Sequence, residues 1–349
     1  MPLRPKFMPA HADDHLPLVD VHVHLIGNGL RGSGCWLRTP WWQAPFLRIM
    51  AREIGLTTPY EDPGFDAAYV AQLRRWLGQS SLGAVVLLAS DQTYTVHGEK
   101  RTDLTALYVP NEYVFEVCRS DHRFLAGISI HPARADALAE LERNVEQGAA
   151  LLKLLPCTHM VDPNDRRYIR FWERMAELGL PLLAHTGGEF TLPNHRPDLQ
   201  TPACLQLPLE CGVKVIAAHC GSRALPWDHD YFGVFRRMQD RYPNLYGDLA
   251  ALSQPSHLST LAQLRKAPTR ILHGTDYPVV TSVIWSRLRG WLDQATLRRI
   301  RAERNPLERK IELTRALGFP DQVFREAWSV LRGGPPAATR PEASFSPLP

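Results

Sequence analysis

Residues 18–25 read Leu18-Val19-Asp20-Val21-His22-Val23-His24-Leu25. Side chains of a strand alternate between its two faces. Strict alternation places Val19, Val21, Val23 and Leu25 on one face and Asp20, His22 and His24 on the other. The apolar set suits packing against helices, and the polar set suits a lumen. Two imidazoles two residues apart, near the end of a strand, are spaced to share a divalent ion.

Seven further apolar runs of strand length follow: 83–89, 124–130, 149–155, 180–185, 213–219, 244–249 and 270–276. Segments with helical spacing lie between most of them, at 66–77, 113–118, 135–147, 168–178 and 231–240. Strands regularly followed by helices imply parallel pairing through crossovers. Eight such units predict an α/β fold, a (β/α)8 TIM barrel. Its domain spans 16–332. A segment 1–15 precedes it, and a tail 333–349, rich in Pro, Ala and Ser, is expected to be disordered. A long loop insertion, 26–64, interrupts the rhythm after the first strand. It carries Trp36, Trp41 and Trp42, and in a barrel it would cover the C-terminal mouth. Its aromatic residues suit an apolar ligand or a subunit interface equally. The C-terminal region 297–331 reads as two helices split at Gly318-Phe319-Pro320.

Ligand-type residues close several of these strands. His185 ends its run and precedes Thr-Gly-Gly-Glu189, His219 precedes Cys-Gly-Ser-Arg223, and Asp276 precedes Tyr-Pro. Function in this fold gathers at the C-terminal strand ends. Lys153 sits in an otherwise apolar strand, where a lysine is costly unless partnered. Asp248, near the end of the seventh run, is placed to hydrogen-bond a ligand histidine. Arg223 suits a substrate carboxylate, Glu189 a ligand or substrate contact, and Trp36, Tyr94 and His97 the mouth loops. His131 is read as structural. His11, His15, His122 and His257 fall outside the strand-end pattern and read as surface or structural.

The pieces VDVHVHL, LLKLLP, LLAHTGGE, VIAAHCGS and ILHGTDYP, in this order along the chain, resemble the amidohydrolase superfamily, in its amidohydrolase-related branch. That branch includes hydrolases, lactonases and non-oxidative decarboxylases. The resemblance implies His22, His24 and Asp276 as ligands of a first metal and His185 as a further ligand. His219 would serve a second metal or act as a catalytic acid and electrophile. Lys153 would be carboxylated and bridge two ions, or remain an amine beside one. The cofactor expected is one or two divalent ions, zinc first, with manganese or iron admitted. The reaction expected is hydrolysis of an amide, ester or lactone of a small molecule, with Asp276 as general base. The alternative is decarboxylation of an aromatic or dienoic acid.

Composition excludes other classes. Of 349 residues, 44% are hydrophobic and 22% charged, as in an ordinary globular chain. The formal charge of +4 comes from arginines mixed with acids, which reads as solvated helix faces and gives no nucleic-acid partner. The six cysteines form no CxxC pair, so reduced thiols in the cytoplasm are expected. The N-terminus lacks the apolar core of a secretory signal, and no apolar stretch predicts a membrane span. No GxGxxG, GxxxxGK[ST] or GxSxG is present, which argues against nucleotide and serine-hydrolase chemistry. A homodimer is compatible with the sequence.

Overall fold

The computed structural model describes residues 15–335. Segment 1–14 and residues 336–349 of the expected tail lie outside the described residues. Ten strands occur: β1 (Leu18–His24), β2 (Trp36–Leu37), β3 (Leu82–Leu88), β4 (Leu107–Tyr108), β5 (Phe124–Ile128), β6 (Leu151–Leu154), β7 (Leu182–His185), β8 (Val215–Ala218), β9 (Leu245–Asp248) and β10 (Ile271–Leu272). Eight of them form one parallel sheet in the order β1-β3-β5-β6-β7-β8-β9-β10. The seam closes between β10 and β1. There Val21 N–H donates to the His273 carbonyl at 3.1 Å, and His24 N–H to the Tyr277 carbonyl at 2.8 Å. The result is the TIM barrel that the sequence implies.

Two apolar layers hold it. The outer one packs alternate strand residues, such as Val85, Leu87, Leu152, Leu154 and Val215, against the surrounding helices. The inner one fills the lower lumen with Val19, Val21, Val86, Leu151, Leu183, Ile216 and Leu272, and Trp328 from the C-terminal helix 327–330 closes its floor. Fully burying a side chain of this size contributes roughly 1.5–3 kcal/mol.

Strict alternation along β1 does not hold. Val19 and Val21 face the lumen, whereas Val23 and Leu25 belong to the outer layer. The register of β1 against β3 shifts between Asp20 and Val23. The cause is local. The Asp20 carboxylate turns to the seam and accepts the N–H of His22 at 2.9 Å and of Thr275 at 3.1 Å. This bulge brings His22 and His24 to the lumen although the valines before them also face it.

The insertion 26–64 is not a plain loop. It holds β2, paired antiparallel with β4, a 3-10 turn 41–43 and the helix Ala44–Glu53. After Asp293 the chain forms four helical pieces, at 294–302, 306–316, 322–325 and 327–330, rather than two. The break at Gly318 stands, and Asn305 opens another by capping Leu307 N–H at 3.0 Å. No described helix is long and apolar enough to cross a membrane.

Candidate metal centre

The barrel seam carries the site. His22 and His24 come from β1, and Asp276 from the turn after β10, with its N–H bonded to the His22 carbonyl at 2.9 Å. His22 Nε2 lies 3.2 Å from His24 Nε2 and 3.2 Å from Asp276 Oδ1, and His24 Nε2 lies 3.1 Å from the same oxygen. Among the described residues these three form the group whose ligand atoms converge.

Hydrogen bonding bears on what the triangle can hold. His22 Nδ1 lies 2.8 Å from Asp248 Oδ2, so that nitrogen carries the proton and donates it. Nε2 of His22 is then unprotonated, and it faces another imidazole nitrogen, a carboxylate oxygen and the Lys153 amine. Ligand atoms about 2.0–2.1 Å from a tetrahedral ion stand about 3.3 Å apart, which matches the edges found here. The donor set fits one divalent cation. His24 is 21% exposed at its side chain, so the centre opens upward to a cavity, while His22 is sealed.

Strain concentrates at the same place. Asp276 has φ 64° and His219 has φ 58°, left-handed conformations that cost a non-glycine residue about 1–3 kcal/mol. They persist because the strand ends are tied: Asp20 fixes Thr275, and Asp248 Oδ1 accepts the His219 N–H at 2.8 Å. Asp248 thus orients His22 and His219 together. Lys310, fully buried on the helix 306–316, donates to the Leu249 carbonyl at 2.8 Å and steadies the end of β9.

Charges follow from burial and neighbours. Burial opposes the charge of Asp276, yet His22, His24 and His219 hold its carboxyl well below the ordinary range. Burial lowers His22 to about 4, with Lys153 acting in the same direction, so its neutral form prevails. Lys153 is fully buried, its Nζ 3.1 Å from His22 Nε2. Burial lowers it to about 8, against the pull of Asp276, Asp248 and Glu189. Burial raises Asp20 to about 7.

His185 and His219 stand beside the triangle and not in it. Their ring centroids are 4.9 Å apart, and that of His219 is 5.4 Å from that of His22. His219 Nδ1 donates to the Ala250 carbonyl at 3.1 Å, so in the neutral ring Nε2 is the acceptor. Nε2 of His185 has no hydrogen-bond partner, with Glu189 Oε2 at 3.5 Å. Burial keeps His185 neutral, and burial raises the Glu189 carboxyl.

A cavity of about 540 Å³ opens above the triangle. His24, Asp276, His185, His219, Glu189 and Arg223 line it. Trp36 does not. Its indole Nε1 donates to the Thr105 carbonyl at 3.1 Å and its ring packs on Tyr108, so the pleat of β2 turns Leu37 to the cavity instead. Tyr94 packs against His131, and neither Tyr94 nor His97 reaches the cavity. His131 is structural, as expected: Nε2 donates to the His159 carbonyl at 3.0 Å.

His257, expected to be surface or structural, is not on the surface. It is buried, lines the cavity and pairs through Nδ1 with Ser222 Oγ at 2.6 Å. Gly187, in the Thr-Gly-Gly-Glu189 stretch after His185, packs against the same Ser222. With φ 87°, Gly187 has its Cα against the Ser222 carbonyl, where a side chain would overlap.

Known proteins agree with this architecture. The family model described as Amidohydrolase matches residues 19–310. No curated protein matches the chain in sequence. An uncharacterized TIM-barrel protein from Bordetella bronchiseptica is similar in structure at 17% identity and TM-score 0.55, covering 86% of this chain and 99% of its own. So is 5-carboxyvanillate decarboxylase from Sphingomonas paucimobilis, at 13% identity and TM-score 0.50, covering 89% of this chain and 96% of its own. At such identities the likeness speaks for the fold.

Proposed function

The chain belongs to the amidohydrolase family, and from that premise we propose that it is an enzyme that hydrolyses an amide, ester or lactone bond of a small molecule, using one divalent cation at His22, His24 and Asp276. Zinc suits two imidazoles and a carboxylate best, with manganese or iron next. The observation that carries this reading is the tautomer of His22. With Nδ1–H committed to Asp248, an aprotic nitrogen faces two other electron-pair donors, each at 3.2 Å.

Such a cation lowers the pKa of water toward about 7 and polarises a substrate carbonyl. The protein supplies the rest. Asp276, held ionised, is the general base: one oxygen stays in the triangle, and the other is open to take a proton and pass it to the leaving group. His219 presents Nε2 to the cavity beside the carboxylate. Once protonated, it would hydrogen-bond the charge that develops on the carbonyl oxygen. His185 is a further ligand if the centre expands. Lys153, as an amine, hydrogen-bonds the rim of the centre from below; as a carbamate it would bridge to a second ion. Among the described residues three ligand atoms converge, which favours one ion. Arg223 lines the cavity with an Nε that has no protein partner, which suits a substrate carboxylate. Glu189 closes the same side through backbone bonds to Thr191 and Leu192 at 2.6 and 2.9 Å.

The free guanidinium edge of Arg223 also keeps a second reading in play, decarboxylation of an aromatic or dienoic acid. Product analysis separates the two. The metal-loaded chain is given a panel of esters, lactones, amides and aromatic acids. The proposal expects cleavage without release of CO2, lost on chelation and restored by added zinc. Release of CO2 alone, or turnover indifferent to chelation, would overturn it.

A further inference from the structure

The cavity is two-ended. Its floor carries the imidazoles and carboxylates described above. Its upper walls are apolar: Leu37, Phe46, Met50, Phe190, Leu225 and Val279 face a common space. Phe46 and Met50 lie four residues apart on the helix 44–53, hence on one face. Phe46 meets Phe190 edge-on at 5.5 Å, and Gln43 Nε2 donates to the Phe190 carbonyl at 3.0 Å. The insertion is therefore docked on the loop after β7, and the wall is preformed rather than assembled on demand.

We infer that the substrate carries an extended apolar arm, alkyl or aryl, lying between the helix 44–53 and the segments after β7 and β10. The inference rests on the hydrolytic reading for what happens at the other end of that substrate. These side chains line a space of about 540 Å³ instead of filling it, and all of them but the buried Met50 keep exposed surface that a ligand would cover. A small, uniformly polar substrate would lose its hydration against these walls and find few partners there. The polar groups at the floor orient the scissile bond, and the apolar arm supplies affinity. Met50 and Phe46 determine how long an arm is accepted.

The test uses unbranched alkyl carboxylates, from butanoate to decanoate, titrated by calorimetry into the full chain, as purified and after chelation. Affinity should rise by up to about fourfold per added methylene. Phe46→Ala should weaken that dependence, and Met50→Glu should abolish it. Trp41→Ala with Trp227→Ala, at positions 87% and 79% exposed and outside the cavity, should leave it intact. A flat series with the native chain overturns the apolar arm. If the metal-loaded chain still cleaves short esters or lactones, the hydrolytic reading survives that result. A length dependence lost in the tryptophan variant overturns the arm as well, because it places the alkyl chain outside. A length dependence weakened by Phe46→Ala, in a chain that turns over nothing, keeps the arm and removes the hydrolase.

Discussion

The carboxylate of Asp248 accepts the Nδ1 proton of His22 at 2.8 Å, and so decides which nitrogen of that ring faces the centre. Its other oxygen holds the His219 backbone at 2.8 Å. Asp248→Asn keeps the shape but offers His22 an amide that can donate where an acceptor is needed. Zinc affinity should fall about 10–100-fold, as for other partners of ligand histidines. Competitive titration against a chromogenic chelator measures it. Unchanged affinity would mean that the proton on His22 is set by something else.

Replacing a corner of the triangle should do more. His22→Ala removes one of three converging atoms, and Asp276→Asn removes the charge that opposes the cation. Both variants should co-purify with less than about one tenth of the native metal, because each ligand is required to complete the set. Turnover should vanish while far-ultraviolet circular dichroism stays native, since neither residue belongs to the apolar layers. Elemental analysis of the native chain should give about one ion per chain. Retained activity in either variant would place the centre elsewhere.

The eight strands were legible, and so was the position of polar residues at their ends, because each is a local pattern. Apolar runs mark strands, and His185, His219 and Asp276 stand where those runs stop. The bulge in β1 was not legible. It depends on Asp20 reaching Thr275, 255 positions away, and no local periodicity encodes that. That His257 lines the cavity was not legible for the same kind of reason. It lies on a 3-10 turn after β9, and its partner Ser222 is 35 residues earlier. Trp36 misled in the opposite direction. A tryptophan in a mouth insertion suggests a ligand wall, but β2 pairs with β4 and its pleat hands that wall to Leu37. Lys310 gave no signal at all, since helical spacing does not say which lysine of a helix is buried.

Gly187 is a further backbone requirement that can be tested. Its φ of 87° and its contact with the Ser222 carbonyl leave no room for a Cβ. Gly187→Ala should destabilise the fold by more than about 1 kcal/mol. It should also displace the loop that carries Glu189, so turnover should fall further than stability explains. Urea denaturation and steady-state kinetics on the same preparation give both numbers. A variant as stable and as active as the native chain would show that the two loops yield easily.

Acid stability should fail earlier than carboxylate titration alone would allow. Two buried histidines beneath the rim are held neutral by geometry. His131 Nδ1 accepts the Ala133 N–H at 3.2 Å, and His159 Nδ1 accepts the Leu155 N–H at 3.3 Å. Burial lowers His131 to about 4 and His159 to about 3, and Nδ1 of either ring cannot be protonated without losing its bond. In the unfolded chain both titrate near about 6.5. Between those values the unfolded state binds more protons than the folded one, so stability falls as pH falls. Each ring contributes a slope of up to about 1.4 kcal/mol per pH unit, beginning below about pH 6.5 and ending at its folded pKa. Chelated protein, titrated with urea at a series of pH values from about 7.5 to about 5, isolates this effect from metal release. His159→Asn retains an acceptor near the Leu155 amide and removes one titrating ring, so its stability should decline less steeply over the same range. A native profile that stays level down to about pH 5 would mean that the folded chain accepts these protons without losing the two backbone bonds.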